Sequence, residues 1–215
     1  MQSFQKLQIK FRKWRYPGGI AYWERRYASG GNSGSGSSGL LAAYKAEIVN
    51  QFVKKQGIQS VLELGCGDGQ QLQLAQYPQY TGLDVSPSSI ETCKRVFSSD
   101  ATKKFDLYDP FQFNPLEYQS NMSLSMEVIF HLTEENTYQL YLKHLFSCAQ
   151  QWVVIFASNT DDNTGGIFPH FKPRQFLPDI PPGWELHQHL PNPHFDISIS
   201  EFFIFEKRNA PEIRQ

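Results

Sequence analysis

From Glu63 to Gly69 the chain reads Glu-Leu-Gly-Cys-Gly-Asp-Gly, a carboxylate followed by three glycines at every second position. Val61 to Leu64 is otherwise apolar, which predicts a buried strand running into a sharp turn. Glycine suits such a turn because its backbone reaches φ angles closed to other residues and a ligand can approach without meeting a Cβ. The next residues, QQLQLAQY with Leu72 and Leu74, predict a short helix whose N-terminal amides face whatever lies over the glycines. Tyr80 to Leu83 predicts a second strand ending in Asp84, where a carboxylate can accept both hydroxyls of a ribose. A dinucleotide pocket requires a further glycine three residues after Gly67, and Gln70 stands there, so the dinucleotide pattern fails.

Acidic-x-Gly-x-Gly-x-Gly, followed by a strand-terminal aspartate, resembles motif I of the class I S-adenosylmethionine-dependent methyltransferases. From about residue 40 the whole chain is similar to that family. More narrowly, YWERRYASGGNSGSGSSG, LSMEVIFHL, ASNTDDN and HFKPRQF resemble a bacterial small-molecule branch in which aspartate stands at the Glu127 position. The resemblance implies S-adenosyl-L-methionine as cofactor. Its methionine part is expected at Gly65, Cys66, Gly67 and Gly69, its ribose at Asp84 and its adenine amino group at Asp109. Glu63 would brace the loop, and Glu127 would lie near the sulfonium. Asp106 is an alternative to Asp109, and either can be a plain turn residue.

Methyl transfer from a sulfonium needs alignment of nucleophile, methyl and leaving sulfur more than it needs activation of the electrophile. His131 follows the fourth expected strand at the ligand edge and is the candidate catalytic base; the competing reading is a structural histidine capping the next helix. Asn159, Asp161 and Asp162 follow the fifth strand, where they can hold substrate hydroxyls or form a solvated turn. His170, Lys172 and Arg174 alternate beyond them as a possible anion clamp, with Pro169 and Pro173 opposing a continuous helix. No histidine cluster or ligand spacing supports a metal site. The expected activity is O-methylation of a small polar metabolite such as a sugar or carboxylated compound. The alternatives are RNA or protein methylation through a basic N-terminal arm, or a non-enzymatic binding module on the same fold.

The elements that must position these groups follow from apolar spacing. Leu41, Tyr44, Ile48, Val49, Phe52 and Val53 recur at three- and four-residue intervals and predict a helix from about Leu40 to Lys55. Ser86 and Pro87 suit the start of another, with Ile90, Cys93, Val96 and Phe97 on one face. Lys104 to Tyr108, Met122 to Met126 and Trp152 to Ala157 read as the third, fourth and fifth strands. Thr133 is the expected cap of a helix that Cys148 closes. Trp184 to Leu190 and Glu201 to Lys207 suit a final antiparallel hairpin. The expectation is an α/β fold: a doubly wound, mostly parallel, seven-stranded, Rossmann-like sheet with an antiparallel C-terminal hairpin.

Two divisions are expected: residues 1–39, a basic and aromatic arm followed by a Gly/Ser-rich lid, and residues 40–215, the methyltransferase domain. Lys6, Lys10, Arg12, Lys13, Arg15, Arg25 and Arg26 face only Glu24, making residues 1–27 +6 against −7 for the remainder. That arm can dock an anionic partner, or it can be a solvated face anchored by Phe11, Trp14 and Trp23. Tyr27 to Gly39 is almost entirely Gly, Ser and Asn, a composition shared by linkers and lids; its place before the helix that leads into the first strand favours a lid. Asn32 and Ser33 there can donate to a carboxylate of the bound cofactor.

A net charge of −1 argues against general nucleic-acid binding, and no apolar run is long enough to span a bilayer. Three widely spaced cysteines, Cys66, Cys93 and Cys148, suggest neither disulfides nor zinc and fit a reducing cytoplasm. The expected partner is a small-molecule substrate. Oligomeric state is not legible in the sequence.

Overall fold

The computed structural model describes residues 16–162 and 169–208. The expected arm residues Lys6, Lys10, Phe11, Arg12, Lys13, Trp14 and Arg15 lie outside the described residues. Seven strands form one sheet: β1 (Ser60–Leu64), β2 (Gln79–Asp84), β3 (Lys103–Leu107), β4 (Ser120–Met126), β5 (Ala149–Ala157), β6 (Trp184–Leu190) and β7 (Glu201–Lys207). Their order is β3-β2-β1-β4-β5-β7-β6. The first five are parallel, and β7 runs antiparallel to both β5 and β6.

The central strands are apolar on both faces because helices cover both faces. Along β5, Trp152, Val154 and Phe156 join one buried cluster, with Val49, Phe52, Ile90 and Cys93. Val153, Ile155 and Ala157 alternate into the other, with Tyr138, Leu142 and Leu145. Burying a side chain such as Ile155 or Leu145, each 0% exposed, contributes roughly 1.5–3 kcal/mol. The covering helices are α2 (Gly39–Gln56) and α3 (Pro87–Val96) on the first face and α4 (Glu135–Cys148) on the second. Cys93 is fully buried core.

Three local readings change. The helix expected after the glycines is a four-residue 3-10 turn, Gln71–Leu74, since only Leu72 is buried and Leu74 is exposed. Thr133 does not cap α4: the residue before the helix is Glu134, and the Thr133 hydroxyl donates to the Glu134 carboxylate instead. The expected aromatic arm contains a helix, α1 (Gly19–Ala28), which precedes the serine-rich segment. Tyr22 and Arg26, like Trp23 and Tyr27, are four residues apart and share a helical face, a signal present in the sequence.

Candidate active site

A cavity of about 390 Å³ lies beyond the carboxyl ends of the parallel strands, where open α/β sheets bind ligands. At its floor the chain leaves β1 with φ of 86° at Gly65 and 57° at Gly67, both in the left-handed region that favours glycine. A Cβ on Gly67 would overlap the Ser33 hydroxyl and lie 2.9 Å from the Tyr27 hydroxyl, so the absence of a side chain lets the overlying segment close. Gly69 does not line the cavity; a Cβ there would meet Phe97 and Cys93.

The turn amides are already committed. Gly65 and Cys66 both donate to the Leu83 carbonyl, at 2.7 and 3.0 Å, and Gly67 donates to Asp84 Oδ2 at 2.9 Å. Asp68 N–H reaches Ser33 Oγ, Gly69 N–H the Cys66 carbonyl and Gln70 N–H Asp68 Oδ1. The amides of the glycine turn are therefore paired within the protein. Carboxylates are among the residues that line the cavity beside the turn.

Asp84 is one of them, and burial raises its pKa. Besides Gly67 it accepts from Ser86 N–H at 2.9 Å, one amide on each carboxylate oxygen, which leaves lone pairs on both. Glu63 is fully enclosed; burial pushes its carboxyl up to about 7 against the opposing bond donated by the Tyr80 hydroxyl at 2.6 Å. Glu127 lines the cavity just after β4 and is the one non-glycine residue with positive φ among the described residues, at 58°. Lys45 Nζ holds its Oε2 at 2.9 Å and Ser198 donates to Oε1 at 3.2 Å. Lys45, 1% exposed, is thus a buried cation whose partner sits at the site, a role that its place on an amphipathic helix did not signal.

The serine-rich segment folds onto the glycine turn. Ser33 Oγ donates to Asp68 Oδ1 at 2.7 Å and its N–H to Oδ2 at 3.2 Å. Ser33, Gly34, Ser35, Gly36 and Ser37 line the cavity, whereas Asn32 is exposed and does not; its carbonyl accepts from Arg26 and its side chain from Gly34 N–H. Helix α1 forms the adjoining wall. Its Glu24 accepts from Ser86 Oγ, Ser88 N–H and Ser88 Oγ at 2.5, 3.2 and 2.7 Å, fixing it to the start of α3.

His131 stands at the end of a 3-10 turn, Ile129–His131, that comes after β4. Trp23 approaches its ring edge-on at 4.8 Å and Phe130 at 4.7 Å, and His170 lies roughly parallel at 5.9 Å. Burial drives its pKa down to about 4, so the ring is neutral at pH 7. Nδ1 lies 2.8 Å from the His170 carbonyl, which can only accept, so Nδ1 carries the proton and Nε2 keeps a lone pair. Tyr22 stacks on His170 at 4.4 Å and completes an aromatic chamber with Trp23, Phe130 and Phe171.

Other expected residues lie elsewhere. Asp109 is half-buried beside the cavity, accepting from Phe111 N–H, and its neighbours Tyr108 and Pro110 form the wall; Asp106 is exposed on β3. Asn159 and Asp161 accept from Leu177 and Gln175 amides, and neither they nor Asp162 line the cavity. Of the expected anion clamp only His170 does. Arg174 is spent on Glu135 at 2.8 Å and on the Leu132 carbonyl, with its guanidinium over Tyr138, and Lys172 also pairs with Glu135.

Residues 61–151 match the family model described as a methyltransferase domain. No curated protein matches the chain in sequence. Among solved structures, the N-methyltransferase NodS from Bradyrhizobium japonicum WM9, in complex with S-adenosyl-L-homocysteine, superposes with a TM-score of 0.68 at 13% identity, over 89% of this chain and 100% of that one. The methyltransferase domain of bacterial CtHen1-C gives 0.62 at 20% identity over 79% and 100%. The [4+2]-cyclase SpnF gives 0.64 at 12% over 89% and 94%. At such identities the likeness is one of fold. A cavity of about 390 Å³, a carboxylate at the end of β2 and a glycine-rich turn fit an adenosyl amino acid. Residues 61–151, set in this fold and around this cavity, are thus a methyltransferase domain of the class I type, a type that uses S-adenosylmethionine as its cofactor.

Proposed function

We propose that the protein methylates an oxygen of a small polar metabolite. The observation that carries this reading is the chamber itself: α1, pinned by Glu24 to Ser86 and Ser88, forms a wall of a cavity of about 390 Å³, a volume in the range of small-molecule sites. S-Adenosylmethionine supplies, when bound, an electrophilic methyl group. Asp84 is suited to hold its ribose hydroxyls, Tyr108 and Pro110 to flank its base, and the Gly65–Gly67 turn to pass beneath its amino-acid part.

His131 then serves the acceptor. A group with a pKa of about 4 is too weak to strip a proton from an alcohol in the ground state. Its Nε2 lone pair accepts a hydrogen bond from the acceptor hydroxyl and aims the oxygen's own lone pair. As that oxygen forms its new bond to carbon it becomes strongly acidic, and its proton passes to Nε2. The chamber of Tyr22, Trp23, Phe130 and Phe171 excludes water from this exchange.

Release of S-adenosylhomocysteine from S-adenosylmethionine, measured across a panel of hydroxylated and carboxylated metabolites, tests the proposal. The expected result is turnover with at least one hydroxyl acceptor. Turnover with RNA or a peptide alone, falling steeply with salt, would replace it by polymer methylation through the basic N-terminal residues.

A further inference from the structure

Four buried side-chain polar atoms have no hydrogen-bond partner among the described residues: Gln71 Oε1, Ser123 Oγ, Trp152 Nε1 and Ser158 Oγ. Of these residues only Gln71 lines the cavity. Its orientation is set chemically, because Nε2 donates at 3.0 Å to the Ala42 carbonyl, which cannot donate back. The amide oxygen must therefore be the unpaired end. A buried acceptor left without a donor costs about 1–3 kcal/mol, so a lone orphan at a ligand cavity calls for a donor from the ligand.

The surroundings say which kind of donor. The six amides from Gly65 to Gln70 all have acceptors inside the protein, so this end of the cavity offers little to an anion from the turn. Glu63, on β1, is among the residues that line the same cavity, and Ala42, which holds Gln71, is one helical turn before Lys45, whose charge is already taken by Glu127. The adenosine side, at Asp84, Val85, Tyr108 and Pro110, comes from the ends of β2 and β3 and the residues just beyond them, whereas Gln71 reaches across to α2. A cationic donor beside the glycine turn is the group such a corner accepts.

We infer that Gln71 Oε1, oriented by the Ala42 carbonyl, receives the α-ammonium group of the cofactor's amino-acid tail. Gln71 is thus a specificity-determining residue for an intact amino acid on the adenosyl sulfur. The inference rests on the cofactor assignment and extends it to a residue outside the glycine motif.

The test is calorimetric titration of the full-length wild-type chain and the Gln71→Leu variant with two ligands: S-adenosylhomocysteine, and its analogue carrying hydrogen in place of the α-ammonium. Gln71→Leu should weaken S-adenosylhomocysteine by about tenfold to a hundredfold, the scale of a hydrogen bond to a charged group, and leave the des-amino analogue within about twofold. Wild type should itself prefer the ammonium-bearing ligand, and the variant should lose that preference. Equal loss for both ligands, with a lowered melting temperature, would make Gln71 only a strut to Ala42 and overturn the inference; so would no change for either. Failure of the wild-type chain to bind S-adenosylhomocysteine would instead overturn the cofactor reading beneath it.

Discussion

Ser33 and Asp68 are joined three times across the lip of the cavity: hydroxyl to Oδ1 at 2.7 Å, Ser33 N–H to Oδ2 at 3.2 Å, and Asp68 N–H back to the hydroxyl at 3.2 Å. Because the single Ser33 proton goes to the carboxylate, the Tyr27 hydroxyl, 3.0 Å away, is the donor in its own bond to Ser33. A segment with almost no apolar surface is thereby held by polar bonds to the turn beneath it. Fixing each of its residues costs roughly 1–2 kcal/mol, which only the surface it closes upon can offset.

Ser33→Ala should loosen the segment without unfolding the sheet. The bonds lost are partly exposed, so about 1 kcal/mol of local stability is expected, seen as several-fold faster amide exchange across residues 30–38. We expect S-adenosylmethionine to slow that exchange in wild type; identical exchange with and without it would mark the segment as a connector.

Asp84→Ala should impair folding as well as cofactor binding, because it leaves the Gly67 and Ser86 amides without their buried acceptor. About 2–4 kcal/mol of stability is expected to be lost, against a smaller loss for Asp84→Asn, which keeps one acceptor oxygen. Thermal melting and S-adenosylhomocysteine titration of both variants separate the two effects. A fully stable Asp84→Ala protein would show that the turn does not depend on this carboxylate.

The lowered pKa of His131, about 4 against an ordinary 6.5, makes the unfolded chain bind more protons between those values. Its contribution to stability is therefore complete above about pH 6.5 and is lost as pH falls toward 4. Glu63, raised to about 7, acts in the opposite sense, favouring the folded chain as pH falls from 7 toward its ordinary 4.5. The two overlap, so the informative measurement is the difference in melting temperature between wild type and His131→Gln, which should narrow below pH 6. In kinetics the same substitution should lower turnover by about a hundredfold with S-adenosylhomocysteine affinity little changed, and the wild-type acid limb should lie well below pH 6. Near-normal turnover with a changed melting temperature would identify a structural histidine.

Lys45→Met should destabilise the protein by about 2–4 kcal/mol by stranding the Glu127 carboxylate, and Lys45→Met/Glu127→Gln should recover much of that loss. Denaturant titration of the two single variants and the double variant gives the coupling directly. Simple additivity would mean the pair is not energetically joined.

The sheet is legible in the sequence because its signals are local. Alternating burial on both faces, the Gly65–Gly67 turn and the strand-terminal Asp84 arise from side-chain type and spacing along short stretches. The 3-10 turn at Gln71–Leu74 reads as a helix because two leucines two residues apart look alike until one is buried and the other is not. Arg174 illustrates the reverse limit: an exposed-looking fork in an irregular stretch finds Glu135, Leu132 and Tyr138 waiting for it.

By itself, the order of residues determined the class of sheet and the place of its ligand edge, both of which rest on local backbone preference and burial period, and its resemblance to a known family implied the cofactor. Only the tertiary structure decided which polar groups remain available there. Lys45 meets Glu127, Glu24 meets Ser86, Ser33 meets Asp68 and Gln71 meets Ala42 across 29 to 82 residues of chain, and a donor or acceptor consumed in such a pairing is lost to the ligand. Hydrogen-bond capacity is finite and is allotted in space, so no one-dimensional pattern could show that the glycine-turn amides were spent while one glutamine oxygen was not.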